Sequence, residues 1–226
     1  MCGLLSAVGY GLVYAAEQSI SGGMAAVLYG TFPLCTAILA TLGRVEKVRP
    51  RALAGSVVAL VGIGIIFADR LQVSRAQGVG VLLVLVSVVV SSLYTTILKR
   101  AGSDVNPLAT TGVFLATSAV ALGVFAAVVD RRPVPWPPPT VPTIALLYLA
   151  IVGSVVVFAA YFYLLKRVTL MTISTLVLLE PIIALIVDAV GERDVVLVPR
   201  TYTGMAVTIA GVAVSVLTPS MRRAPE

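Results

Sequence analysis

The 226 residues are 59% hydrophobic and 12% charged, against roughly 45–50% and 25% in soluble domains, which makes the chain an integral membrane protein. Its net charge of +6 does not indicate nucleic acid, because every Lys and Arg lies between apolar runs or in the tail, with no basic face interleaved with aromatic residues. Cys2 and Cys35 form no CxxC spacing and histidine is absent, so no disulfide framework, metal site, cofactor or His-based catalysis is indicated.

In chain order the sequence divides into eight apolar runs: Gly3 to Ala16, Gly22 to Leu42, Ala52 to Ala68, Val79 to Leu98, Pro107 to Val129, Thr143 to Leu165, Leu170 to Val190 and Tyr202 to Leu217. Most approach the ~20 residues with which a helix crosses hydrocarbon. The connections are short and carry the charges and helix breakers, as in the segment from Arg44 to Arg51. The proline-rich stretch from Asp130 to Pro139 reads as a stiff extended loop with Trp136 at headgroup level. No basic stretch or small-residue cleavage site follows Met1, so no cleavable signal peptide is expected.

An internal repeat organises these runs. A shift of 148 places Tyr10 on Phe158, Tyr14 on Phe162, Pro33 on Pro181 and Gly43 on Gly191; after one inserted residue Arg51 falls on Arg200, Gly55 on Gly204 and Gly62 on Gly211. The step between copies is five spans, and an odd step reverses direction across the membrane. Inverted repeats of this kind underlie alternating access in many secondary transporters. The expected fold is all-α, built from inverted five-helix repeats: residues 1–68 form a partial first repeat of three helices, 69–78 a linker, 79–217 a second repeat of five, and 218–226 a cytoplasmic tail. Two helices are missing from the first copy, and they are expected upstream of Met1 if the chain is a piece of a longer one.

Charge sets the expected orientation. With both termini cytoplasmic, that side receives ten basic residues, namely Arg44, Lys47, Arg49, Arg51, Lys99, Arg100, Lys166, Arg167, Arg222 and Arg223; the other receives six. Single cysteines at Lys47 and Arg131, in a background lacking Cys2 and Cys35, test this. Position 131 is expected to react with an impermeant thiol reagent in intact cells, and position 47 only after lysis; equal labelling would refute the inverted arrangement.

The order of motifs in the second half is specific. Ala159-Ala160-Tyr161-Phe162-Tyr163-Leu164-Leu165, then Leu178-Leu179-Glu180-Pro181, then Gly191-Glu192, then Gly204 and Gly211 in a final helix, resemble the second EamA-type repeat of the drug/metabolite transporter superfamily. Runs one to three are similar to the last three helices of that family's first repeat. The resemblance implies a ten-helix fold of two inverted five-helix bundles, and transport, more often export, of small metabolites such as amino acids or drugs through a central cavity of the cell membrane. The sequence departs from the family in lacking the first two helices and in reading Gly43-Arg44-Val45-Glu46 where Gly-Glu closes the fourth helix. That second departure suggests that the glutamate is not chemically essential in this half.

Within this frame Glu180-Pro181, in the middle of the seventh run, is the leading site candidate. An ionisable group there costs ~3 kcal/mol or more. Pro181 removes a backbone donor and frees the Val177 carbonyl. Two structural roles compete with a pathway role: a protonated Glu180 could donate to that carbonyl, or it could cap a half-helix starting at Pro181. The matching site in the first half keeps Pro33 but has Phe32 in place of the glutamate. A scaffold requirement would recur in both copies, so the asymmetry points to substrate or proton chemistry.

Tyr14, Tyr29, Tyr94 and Tyr161 place polar-tipped rings inside spans, either lining a wet pathway or anchoring at the interface. Gly55, Gly62, Gly204 and Gly211 form small-residue stripes expected at close helix contacts. Ser91, Ser92, Thr95, Thr96, Ser174 and Thr175 either serve the pathway or bond back to their own helices, and the second reading is preferred. Asp188 lies about 12 Å beyond Glu180 and with Glu192 reads as a solvated charge cluster. The expected partners are the bilayer and a small molecule, and self-association as a homo-oligomer is compatible with this class. The rivals to a secondary transporter are an inactive fragment or partner subunit of a membrane complex and, far behind, a lipid-modifying enzyme, for which Asp188 and Glu192 are too few catalytic groups.

Overall fold

The computed structural model describes residues 1–68, 77–101, 106–129, 139–191 and 198–217, except for the side chains at 184 and 187–191. Arg131, Trp136, Glu192, most of the 69–78 linker and the 218–226 tail lie outside the described residues, as does the side chain of Asp188. The elements are α1 (Cys2–Ala16), α2 (Gly22–Tyr29), α3 (Phe32–Leu42), α4 (Pro50–Ile66), α5 (Gly78–Ala101), α6 (Pro107–Val129), α7 (Thr140–Tyr148), α8 (Val157–Arg167), α9 (Leu170–Leu176), α10 (Glu180–Gly191) and α11 (Pro199–Val216). A π-helical stretch, Leu149–Val156, joins α7 to α8, and a 3₁₀ turn, Val177–Leu179, joins α9 to α10. The protein is an all-α membrane protein, with no strand among the described residues.

Local chemistry sets the helix starts. Ser21 accepts from the Met24 N–H at 3.3 Å to open α2, and Thr169 accepts from the Thr172 N–H at 3.1 Å to open α9. Pro50, Pro107 and Pro199 each occupy the first helical position, where a missing N–H costs nothing.

Among the described residues four helical stretches are long and apolar enough to cross a membrane: Gly22–Leu42, Gly78–Ala101, Pro107–Val128 and Thr140–Arg167. Three further apolar helices are shorter, Cys2–Ala16, Pro50–Ile66 and Leu170–Ile183. The physical reason lies at their ends: Glu17 takes over as the cap of α1, and α4 cannot start before Pro50 and its N-cap Arg49. Val113, Val120, Ile144 and Leu146 each expose more than 60% of their surface, a face that water would penalise and lipid tails accept.

The most extensive contact joins α4 to α11. A Cβ on Gly55 would lie 2.6 Å from the Gly211 carbonyl oxygen, and one on Gly62 would lie 2.7 Å from that of Gly204. Numbers that rise along α4 fall along α11, so the two helices run antiparallel. Beside this seam Thr175 Oγ1 is 3.0 Å from Ser56 Oγ and 3.1 Å from Ser215 Oγ, tying α9, α4 and α11 through buried hydroxyls. On the other side of the bundle Ser87 donates to the Gly9 carbonyl at 2.8 Å and Ser118 to that of Gly3 at 2.9 Å, which binds α1 to α5 and α6. Small and hydroxylated residues thus supply the packing that hydrophobicity cannot supply between helices in lipid.

Candidate functional site

Both proline sites break a helix. Pro33 is the second residue of α3, and the turn before it tightens: the Thr31 N–H bonds the Leu28 carbonyl at 3.0 Å and Thr31 Oγ1 donates to the same oxygen at 2.6 Å. Pro181 is the second residue of α10, and the chain before it passes through the 3₁₀ turn, where the Glu180 backbone N–H takes the Val177 carbonyl. The carbonyl that Pro181 frees is therefore satisfied by backbone. Among the described residues the Glu180 carboxyl makes no hydrogen bond or ion pair, so neither structural role for it, donor to Val177 or helix cap, is realised.

The two breaks meet at one cavity of about 320 Å³. Its floor is Tyr29 and Gly30 from the first break, with Val177, Leu178, Glu180 and Pro181 from the second. Glu17 and Gly22, at the adjoining ends of α1 and α2, mark its mouth. The eight steps from Gly22 to Gly30 along the helix span about 12 Å at 1.5 Å per residue. Among the described residues its walls are otherwise apolar, with Val13, Ala25, Ala26 and Ile63, and carry no Lys or Arg. Glu180 is solvent-exposed into this space.

Of the four tyrosines singled out, Tyr29 alone lines this cavity. Its hydroxyl is 2.8 Å from Ser91 Oγ and its ring stacks on Phe32 at 6.1 Å. The Tyr161 hydroxyl is 3.1 Å from Thr95 Oγ1, one turn further along α5. Tyr94 packs on Phe114 at 5.7 Å, inside an aromatic cluster with Phe158 and Phe162. Tyr14 is 60% exposed and stacks on Tyr10 at 6.5 Å. Phe32, the counterpart of Glu180, is buried in the core beside Met24 and Val88.

Three functional candidates were not apparent in the sequence. Glu17 faces Glu180 across the same cavity; the only local sign is a carboxylate at a helix C-terminus, where the dipole disfavours it. Glu46 Oε2 accepts from the Leu170 N–H at 2.7 Å, so the glutamate displaced from its usual place anchors the start of α9. Lys99 Nζ donates to the Leu165 carbonyl and, at 2.6 Å, to that of Val168. The last two tie the bundle at the end remote from Glu17. Ser87, Ser91, Thr95 and Lys99 follow one another at four-residue intervals, which makes one face of α5 a polar stripe that reaches α1, α2 and the end of α8 in turn. The expectation that the intramembrane hydroxyls serve their own helices is therefore corrected for Ser91 and Thr95, each with a tyrosine hydroxyl within reach, for Ser92, which donates to the Phe32 carbonyl at 3.4 Å, and for Thr175, which bonds the Met171 carbonyl of its own helix but also meets Ser56 and Ser215. It holds for Thr96 and Ser174, which donate to Ser92 and Leu170 carbonyls.

A cavity at two helix breaks, lined by carboxylates, is an arrangement suited to carrying a solute. Residues 1–68 and 78–217 match the EamA-like transporter family. The chain belongs to this family. An uncharacterized transporter of Archaeoglobus fulgidus is 23% identical over 208 residues, covering 88% of the chain and 70% of that relative. A protein of known crystal structure, 20% identical, superposes with a TM-score of 0.81 over 96% of the chain and 75% of its own length, which shows a shared fold. This EamA-like protein is thus a multi-pass membrane transporter, and its carboxylate-lined cavity is the candidate passage.

Proposed function

We propose that this EamA-like transporter is a secondary exporter of small metabolites or drugs that carry an amino group, amino acids among them, and that Glu180 binds that group or exchanges a proton for it. The observation that carries the proposal is the unpartnered Glu180 carboxyl on the floor of a cavity without Lys or Arg. A unit charge 4 Å from a carboxylate gains ~4 kcal/mol at an effective dielectric of 20; a phosphate there would meet the same energy with the opposite sign. Export rather than uptake rests on family analogy.

The two halves act, in this reading, as inverted repeats, 1–68 and 79–217. Three features support it: the antiparallel seam in which Gly55 meets Gly211 and Gly62 meets Gly204, the equivalence of Pro33 and Pro181, and the helix breaks at both. With the termini cytoplasmic, the cavity mouth at Glu17 opens outward, and the Glu46 and Lys99 ties close the inner end. Tyr14, Tyr94 and Tyr161 join the pathway once these ties part. A partner-subunit role is the second reading, favoured by the long stretch Thr140–Arg167, which buries none of its spanning window.

Purified protein in liposomes tests the proposal. Radiolabelled amino acids and monoamines are expected to exchange across the bilayer, driven by an imposed proton gradient, while sugar phosphates are not. Exchange of sugar phosphates with no movement of amines would overturn it.

A further inference from the structure

A second cavity, of about 530 Å³, lies at the opposite end of the bundle and shares with the passage described above only Lys99, one of the ties at its inner end. It is lined by Leu42, Gly43, Arg44 and Val45 at the end of α3 and by Lys99 and Arg100 at the end of α5. Three of its six lining residues are cationic. The Lys99 ammonium spends two of its three donors on the Leu165 and Val168 carbonyls, which fixes its charge in place. The Arg44 and Arg100 side chains are exposed and, among the described residues, have no hydrogen bond or ion pair. The Glu46 carboxylate is turned to the Leu170 N–H instead.

The backbone makes Arg44 more than an incidental surface cation. It is the one described non-glycine residue with positive φ, at 52°. Helix α3 ends with the Val45 N–H on the Ala40 carbonyl at 2.9 Å, and the left-handed residue in such an ending is usually glycine. Here glycine stands one place earlier, at Gly43, and arginine takes the strained position. Strain of this kind persists at binding sites, where the side chain is needed.

The surroundings identify the ligand. Helices α3 and α5 both lie in spanning stretches, and the cavity forms where both end, at the level where hydrocarbon gives way to headgroups. Leu42 is 76% exposed on its rim and Ile38 60%, one turn below on the same face. An apolar track therefore leads from the cations into the bilayer. We propose that this cavity binds the phosphate of an anionic phospholipid, with the Arg44 and Arg100 guanidinium groups on the phosphate oxygens and an acyl chain along Leu42 and Ile38. Guanidinium forks suit phosphate, and basic pockets between spanning helices are places where acidic headgroups lodge. A zwitterionic lipid carries its own cation and gains less.

The test is binding of phosphatidylglycerol, phosphatidylcholine and inorganic phosphate to the full chain in a neutral detergent, read by native mass spectrometry and titration. One phosphatidylglycerol is expected to remain bound roughly thirtyfold more tightly than phosphatidylcholine, from two basic contacts. R44Q/R100Q is expected to abolish that preference, whereas K47Q/R51Q, which removes the same charge from the neighbouring loop and helix start, should change it by no more than about threefold through screened long-range attraction. Arg44→Gly separates site from stability: it should weaken phosphatidylglycerol binding while raising the thermal midpoint, because glycine accepts the left-handed backbone freely. Equal losses in the two double variants would reduce the preference to bulk charge and overturn the proposal. Millimolar inorganic phosphate displacing the lipid and binding as tightly would make this a site for a soluble anion and overturn the assignment to lipid.

Discussion

Glu180→Gln is expected to leave the protein folded and inserted while lowering amine exchange at least about thirtyfold and removing its dependence on pH. Glutamine keeps the shape and the hydrogen-bonding capacity, so the variant isolates charge and titration. Truncating one partner of a charge pair that must form in a closed site costs about 2–5 kcal/mol, and among the described residues the cavity offers only Glu17 as a second carboxylate. Glu17→Gln, at the mouth, should lower the apparent affinity by less, through weaker attraction of the cation rather than loss of its seat. Pro181→Ala should behave differently again: the regained N–H can compete for the Val177 carbonyl now held by Glu180, straightening the break and slowing exchange more than it weakens binding. The measurement is amine counterflow in proteoliposomes from pH 5.5 to 8.5, beside the thermal midpoint of each variant. Glu180→Gln protein that exchanges amines like the parent at every pH would make this carboxyl a bystander and leave the fold assignment untouched.

The second large effect is expected at the seam between α4 and α11. A methyl on Gly62 would lie 2.5 Å from the Thr208 backbone nitrogen and press on its hydroxyl oxygen, and one on Gly211 would lie 2.8 Å from the Ala59 Cα. These obstacles are largely backbone, which cannot rotate away, so the helices must move apart and carry the Ser56, Thr175 and Ser215 contacts with them. Gly62→Ala and Gly211→Ala are each expected to destabilise by about 3 kcal/mol, the upper end for overpacking. Gly64, two residues along the same helix, has nothing within 4 Å of an added Cβ. Gly64→Ala should therefore be neutral or stabilising by up to about 1 kcal/mol from helix propensity alone. Thermal unfolding in detergent followed by size-exclusion chromatography distinguishes them. Equal midpoints for Gly62→Ala and Gly64→Ala would show that the seam yields and that its closeness is unimportant.

The membrane class, the helical content and the places where helices break were legible in composition and in Pro33 and Pro181, because each is a local property: an apolar run forms helix in lipid, and proline removes a donor wherever it stands. The glycine spacing of Gly55, Gly62, Gly204 and Gly211 marked a close contact, since small residues every seven positions share a face. Which helix each stripe would meet was not written in that spacing. Packing alone brought α4 to α11, 149 residues apart in the aligned repeat, and put Glu17 and Glu180 on one cavity although a carboxylate after Ala16 looks like the start of a loop. Packing also divided the tyrosines: Tyr29 faces the cavity because α2 ends there, while Phe114, Phe158 and Phe162 surround Tyr94. Hydrogen bonds such as Glu46 to Leu170 and Lys99 to Val168 span more than sixty residues. A polar side chain inside a bilayer must find a partner, but one-dimensional order holds no record of which backbone group will be within 3 Å once the helices have docked.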